Sequence, residues 1–189
     1  TPTELCRGSL TLRQHCLLAL YWMPTTLTYI ALAVLLLPDA IAQIVGANEK
    51  AVVLSTVVSL GAVVQLLGPW FGLLSDGFGR RRVPFMVVGT VLLVPGLLAV
   101  ALGAQVWICA AGYLLYQLFS TLAVQPYTAT TADHVVSAER GRASGLVFLM
   151  QFLGSVGAAV LGLLYGASIV NKLTLYVIIA SMNMIGAIM

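Results

Sequence analysis

Two short stretches of this 189-residue chain place acids beside arginines. The first reads GLLSDGFGRRR and occupies residues 72–82, and the second occupies residues 133–145. Their charged residues are Asp76, Arg80, Arg81 and Arg82 in the first stretch and Asp133, Glu139, Arg140 and Arg142 in the second. Exposed ion pairs contribute only about 0 to 1 kcal/mol each. Such pairs suit a contact that breaks and re-forms better than one that holds the fold together, and the alternative is that these are solvated loop charges that mark the cytoplasmic side.

A second set of polar side chains recurs at helical spacing within apolar stretches. Residues three or four apart lie on one face of a helix. Amides and hydroxyls in an apolar environment are costly unless they are hydrogen-bonded or wet. One interpretation is that they line an aqueous cavity, and the other is that they form hydrogen bonds between helices. The candidate cavity residues are Thr25, Tyr29, Gln65, Tyr113, Gln117, Thr121 and Gln151.

The composition predicts a membrane protein that carries these residues on transmembrane helices. Hydrophobic residues make up 60% of the chain and charged residues only 8%. Five uncharged spans are long enough to cross a bilayer, which takes roughly 20 residues, and a sixth runs to the end of the sequence. The spans are 17–37, 51–75, 83–103, 106–132, 143–167 and 173–189. We expect an all-α, polytopic membrane helix bundle with six transmembrane helices, since strands would alternate in polarity.

The basic residues predict the orientation of the bundle. With the segment 1–16 in the cytoplasm, that side has seven basic residues, and the opposite side has only Lys50 and Lys172. Basic residues in short loops stay on the cytoplasmic side. The expected location is the plasma membrane, and the apolar run 17–37 is read as a retained helix because it exceeds the usual signal-peptide length.

Several functional classes are not expected from this sequence. The three cysteines form no metal-binding or disulfide pattern. No nucleophile, paired acids or metal cluster lies at membrane depth, so neither an enzyme nor a cofactor is predicted. The net charge of +3 reflects topology and not nucleic-acid binding. The partners expected are the lipid bilayer and a small-molecule substrate.

The first charged stretch resembles the signature of the major facilitator superfamily, G-x-L-[SAG]-D-R-x-G-R-[RK]. The matching positions are Gly72, Leu74, Ser75, Asp76, Gly79, Arg80 and Arg81. Gly77 departs from the pattern because the family usually has arginine there. The resemblance implies two inverted three-helix repeats, which form the N-terminal half, 17–189, of a twelve-helix transporter. The C-terminal half would be a further partner, and we interpret the chain as a fragment.

The same resemblance implies a cytoplasmic gate. In the family, acids and bases of these two loops pair across the cytoplasmic face and hold the outward-open state. Asp76 is therefore expected to pair with Arg140 or Arg142, and Asp133 with Arg80 or Arg81. Gly72 is expected to allow close approach of helices, and Gly79 a tight turn.

The resemblance also implies transport by alternating access, with the first, second, fourth and fifth helices lining the cavity. No acid lies inside the predicted spans, so an uncharged solute such as a sugar is expected. A coupling proton or sodium ion would need an acid elsewhere, either in the missing half or at Asp39, just after Pro38. The stretches that start at Arg80 and Arg140 resemble the sugar:cation symporter branch. Two alternatives stay open: a drug or metabolite:proton antiporter, although Ala158-Ala159 replaces its Gly-Pro motif, and a non-transporting six-helix scaffold or receptor.

Overall fold

The computed structural model describes residues 10–78 and 82–188, and these residues form helices without any strand. The elements are α1 (Leu12–Leu20), α2 (Trp22–Ile30), a π-helical turn (Ala31–Leu36), α3 (Leu37–Gln65), α4 (Gly68–Gly77), α5 (Val83–Leu102), α6 (Val106–His134), a 3-10 turn (Ser137–Glu139), α7 (Arg140–Gly166) and α8 (Lys172–Ile188).

Five helical stretches are long and apolar enough to cross a membrane. They are Leu12–Gly46, Asn48–Gly77, Val83–Leu102, Val106–His134 and Ser137–Gly166, and Lys172–Met184 is a shorter apolar helix. Many large apolar side chains on these helices face outward, such as Trp107, which is 80% exposed, and Leu163, which is 74% exposed. Such an outer surface suits hydrocarbon and not water. The chain is therefore an all-helical integral membrane protein.

The first membrane stretch extends beyond the predicted span 17–37 at both ends. It begins at Leu12, where Thr11 and Gln14 form a capping box that satisfies the first amides of α1. It continues past Pro38, whose missing N–H would leave a gap in the ladder of an α-helix. The π-helical turn Ala31–Leu36 directly precedes this proline and accommodates it without ending the helix.

The chain reverses direction at Gly46. The ring of Tyr21 lies 4.6 Å from that of Tyr127, whereas Gly61 lies against Tyr113 and Gly68 against Gln125. The first stretch is thus antiparallel to α6, and the second stretch is parallel to it. Between them only Gly46 departs from helical geometry, with φ of 75° and ψ of 180°. A side chain with a Cβ rarely adopts this conformation, so glycine is needed here.

The interior forms where α5 and α6 pack closely side by side. A Cβ on Gly96 would lie 2.7 Å from the backbone nitrogen of Tyr116, so the two backbones approach as only glycine allows. Tyr116 is 1% exposed and Leu97 is fully buried at this contact. In addition, α6 packs on α3 and α4, and α7 packs on α1 and α2. Because α8 packs on both α5 and α2, it connects these two sets of helices, and the site lies in the space between α6 and α7.

Candidate functional site

A cavity of about 670 Å³ opens between α2, α3, α6 and α7. We call it the polar cavity, because ten of its fourteen lining residues carry a hydroxyl or an amide group. Its lining residues are Trp22, Thr25, Thr26, Tyr29, Gln65, Gln117, Ser120, Thr121, Val124, Gln125, Phe148, Gln151, Phe152 and Ser155. Its volume is in the range that holds a small organic ligand, about 300 to 1,000 Å³.

The structure brings six of the seven residues proposed for substrate binding together in this cavity. They are Thr25, Tyr29, Gln65, Gln117, Thr121 and Gln151. The seventh, Tyr113, is 1% exposed and lies behind the wall, where its hydroxyl accepts a hydrogen bond of 3.0 Å from Gln117 Nε2. Tyr113 thus positions Gln117 and does not line the cavity itself.

The cavity side chains bond to their own helices and not to neighbouring ones. Thr25 donates to the carbonyl of Tyr21 at 2.8 Å, and Thr121 donates to that of Gln117 at 2.7 Å. The bond from Gln117 to Tyr113 also stays within α6. In the described part of the chain, the side-chain amides of Gln65, Gln125 and Gln151 have no hydrogen-bond partner. The interpretation of these groups as hydrogen bonds between helices therefore receives no support at this site.

Two glycines bring the walls of the cavity together. Gly61 of α3 lies against Tyr113, whose ring carbon Cε1 would be 2.5 Å from an added Cβ. Gly154 of α7 lies against the backbone of α2, where a Cβ would overlap the carbonyl oxygen of Met23. These contacts hold α3 on α6 and α7 on α2, and so they fix the spacing of the lining residues.

Beyond the predicted residues and their neighbours on the same helix faces, Trp22, Thr26 and Ser120, sequence reasoning missed five lining residues, Val124, Gln125, Phe148, Phe152 and Ser155. Gln125 follows Thr121 by four residues, and Ser155 follows Gln151 by four, so helical spacing could have found both. The two phenylalanines carried no such signal, since phenylalanine is equally common on lipid-facing surfaces.

Three helices meet through Arg82 at one end of the bundle. Its Nη2 lies 2.8 Å from Asp76 Oδ1 in the last turn of α4, and its Nη1 lies 2.7 Å from Asp133 Oδ2 near the end of α6. Arg82 itself immediately precedes α5 and is only 8% exposed. We call this end, with Asp76, Arg82, Asp133 and Glu139, the charged end. The planar fork of the guanidinium suits two carboxylates at once.

The two carboxylates raise the pKa of Arg82 above its ordinary value. The hydrogen bond that Arg82 donates to Asp76 is the largest cause, and the charge of Asp133 acts in the same direction against the opposing effect of burial. Arg82 therefore remains a cation between the two acids.

The observed pairing differs from the expected gate. Asp76 pairs with Arg82 and not with Arg140 or Arg142, so that prediction is wrong for this conformation. Asp133 also pairs with Arg82, while its expected partners Arg80 and Arg81 lie outside the described residues, as does Gly79. Three adjacent arginines gave the sequence no way to single out Arg82.

Glu139 was expected among the gate residues, and it contacts the first helix. Its Oε2 lies 3.2 Å from Nε2 of His15 and accepts a bond of 3.2 Å from the backbone amide of Leu10. His15 is 2% exposed. The predicted boundary at residue 17 had put this histidine outside the membrane helix, so the contact between α1 and the start of α7 was missed.

Gly72 and Asp39 lie in environments that differ from the predicted ones. A Cβ built on Gly72 would have no atom of the described residues within 4 Å, so within this part of the chain the expected close helix approach there is wrong. Asp39 lies inside the first membrane stretch, where its Oδ2 accepts hydrogen bonds of 2.8 Å from both Gln43 and Tyr165. The bond from Tyr165 joins α3 to α7 at the end opposite Arg82, whereas the bond from Gln43 stays within α3.

A second cavity of about 630 Å³ adjoins the polar cavity on the side of the charged end. The two cavities share Trp22, Phe148 and Gln151, and the second reaches Arg140. Arg142, two residues further on, is exposed and does not line it. Within residues 10–78 and 82–188 no cluster of potential metal ligands is found.

Fold and site together define a class: an integral membrane helix bundle with an internal polar cavity and an ion-pair cluster at one end. Comparison of the chain with protein families, with curated proteins and with solved structures finds no match. The functional argument therefore rests on the geometry of the site and on the sequence.

Proposed function

We propose that this chain is the six-helix half of a transporter that moves a small, uncharged polar solute across a membrane by alternating access. The observation that carries the proposal is the polar cavity within a bundle of apolar helices. A protein that only had to pack in lipid would gain nothing from unpaired amides at Gln65, Gln125 and Gln151, since each is costly in hydrocarbon.

The chemistry of the cavity supports the proposed class of solute. The described residues of its wall supply hydroxyls, amides and aromatic rings, and none of them is Asp, Glu, Lys or Arg. Amides and hydroxyls can both donate and accept, as a polyhydroxylated solute requires. Aromatic rings such as those of Trp22 and Phe148 suit the apolar faces of a sugar ring. A coupling proton or sodium ion would need a carboxylate, and within this chain Asp39 is the acid nearest to membrane depth.

The charged end supports a gating role in the same proposal. Ion pairs between partly exposed groups are individually weak, and Asp76 and Asp133 keep 51% and 33% of their side chains exposed. Such contacts can break and re-form between two conformations, as switching requires. The orientation with this end in the cytoplasm follows from the excess of arginines there and belongs to the proposal.

Water access to the polar cavity tests the proposal without knowledge of the solute. Single cysteines at Gln65 and Gln151, in a variant lacking the native cysteines, should react with a membrane-impermeant maleimide in proteoliposomes. Matched cysteines at Leu163 and Val160, which are exposed on the outer surface, should stay unlabelled in lipid. If the cysteines of Gln65→Cys and Gln151→Cys were as unreactive toward the maleimide as that of Leu163→Cys, an aqueous path to the cavity would be refuted.

Solute transport itself is the second test. Proteoliposomes with the full-length protein should take up one member of a panel of labelled sugars and polyols, and Gln117→Leu should abolish that uptake. A scaffold or receptor would show no uptake of any solute, and a proton antiporter would need an imposed pH gradient.

A further inference from the structure

The two adjoining cavities are parts of one groove between α6 and α7. On α7, the lining residues follow at steps of three or four from Arg140 to Ser155, which spans about 22 Å at 1.5 Å per residue. On α6, the lining continues in the same way from Gln117 to Val135. The groove is polar at the Ser155 end and changes character toward the charged end.

The half of the groove near the charged end has a mostly apolar lining and one cation. On α7 its lining includes Ala143, Val147 and Phe148 together with Ser144, and Val135 lies opposite at the end of α6. Two of its hydroxyls are already engaged, because Thr128 donates to Gln125 and Thr131 to Tyr127. Among the described residues that line it, Arg140 is the one that carries a charge. This part of the groove, which we call the half-groove, thus has a long, mostly apolar wall and a positive charge at one end.

The acids near Arg140 are paired with other groups. Asp76 and Asp133 both bind Arg82, and Glu139 binds His15 and the amide of Leu10. Within the part of the chain that the structure describes, Arg140 forms no ion pair. A cation that lines a cavity without a protein carboxylate is complementary to an anionic ligand group.

We propose that this half-groove binds an amphiphilic anion, with its carboxylate or phosphate head on Arg140 and its apolar chain along Ala143, Val147 and Phe148 toward Trp22. Such a ligand could come from a free fatty acid or from an anionic phospholipid, and both share this chemistry. Binding of this anion does not depend on transport of a solute through the polar cavity.

Quenching of Trp22 fluorescence by a brominated ligand tests the proposal directly. Trp70 and Trp107 are 68% and 80% exposed, so both can be replaced by phenylalanine to leave Trp22 as the single reporter. The 189-residue chain is placed in nanodiscs of phosphatidylcholine and titrated with brominated dodecanoate. Brominated dodecanol and brominated dodecylamine of the same length measure simple partition into the bilayer.

We expect saturable quenching by the carboxylate and only the linear, partition-type quenching by the alcohol and the amine. Arg140→Gln should weaken carboxylate binding roughly tenfold or more, as expected for the loss of a charge-assisted contact. Arg140→Lys should retain most of the affinity, and the matched control Arg142→Gln should retain all of it. Circular dichroism of each variant verifies that the helices are intact.

A further titration distinguishes the two sources of the ligand. If unlabelled phosphatidylglycerol in the nanodiscs protects Trp22 from brominated dodecanoate, the site takes a membrane lipid headgroup. If it does not protect, the site takes the free acid. Equal quenching by dodecanol and dodecanoate, or equal losses in Arg140→Gln and Arg142→Gln, would overturn the proposal. Competition by acetate at the same concentration as dodecanoate would overturn the part assigned to the apolar wall.

Discussion

Arg82 Nη1 lies 2.7 Å from Asp133 Oδ2 and joins the start of α5 to the end of α6. The same guanidinium holds Asp76 at the end of α4 through its other terminal nitrogen. One residue therefore sets the relative position of three helix ends.

Arg82→Gln should destabilise the charged end, because it removes the cation that lies between Asp76 and Asp133. We expect a loss of about 1 to 3 kcal/mol in unfolding free energy, less than for a fully buried pair since both acids are partly exposed. Unfolding in mixed micelles of increasing dodecyl sulfate content measures this. Arg142→Gln is the matched control, and an equal loss in both variants would contradict the bridging role.

The two carboxylates are not equivalent, because Asp133 is less exposed than Asp76. Asp133→Asn should therefore cost more stability than Asp76→Asn. A double-mutant cycle of each with Arg82→Gln separates the pairwise terms from other effects. A larger coupling energy between Asp76 and Arg82 than between Asp133 and Arg82 would show that burial of the carboxylate does not determine the strength of the pair.

The contribution of Arg82 should not depend on pH in the range where membrane proteins are handled. Its pKa is raised in the folded state, so its stabilisation is fully present below the ordinary arginine pKa and disappears only above it. The difference in unfolding temperature between the wild type and Arg82→Gln should be the same at about pH 7 and at about pH 9.5. A difference that halves over this interval would show that another group controls the cluster.

Two glycines on α7 allow a matched test of helix packing. Gly154→Ala should destabilise by about 1 to 3 kcal/mol, since the added Cβ meets the backbone of α2, which cannot rotate away. Gly145→Ala on the same helix meets no atom within 4 Å and should be neutral or stabilising by up to about 1 kcal/mol. If the two substitutions changed the stability equally, helix propensity and not the contact with α2 would determine the effect.

Gln117→Leu should destabilise the fold through Tyr113 and not only change the cavity. It leaves the hydroxyl of Tyr113, which is 1% exposed, without its donor, at a cost of about 1 to 3 kcal/mol. The double variant with Tyr113→Phe should recover part of that cost, because the unpaired hydroxyl is removed. Strictly additive losses would mean that the hydrogen bond contributes nothing measurable.

Helical periodicity predicted much of the site. Thr25 and Tyr29, like Gln117 and Thr121, are four residues apart, and such spacing places side chains on one face whatever the tertiary structure. The predicted membrane character rested on composition, which lipid strictly constrains. Both inferences needed only local information.

What could not be predicted depends on contacts between distant residues. Arg82 is chemically identical to Arg80 and Arg81, and its contacts with Asp76 and Asp133 depend on where the ends of α4 and α6 lie. His15 looks like a residue of a polar terminus until Glu139, 124 residues later, provides its partner. Pro38 usually signals the end of a helix, yet a π-helical turn accommodates it here. Gly72 matched a motif, but no neighbouring helix approaches it.

The reversal at Gly46 has a mechanical consequence. Because only one non-helical residue separates the first two membrane stretches, their connection has no slack and cannot lengthen. The two stretches are therefore hinged at Gly46. Any large displacement of one stretch relative to the other must then occur at their opposite ends, where Arg82 and Glu139 make their contacts.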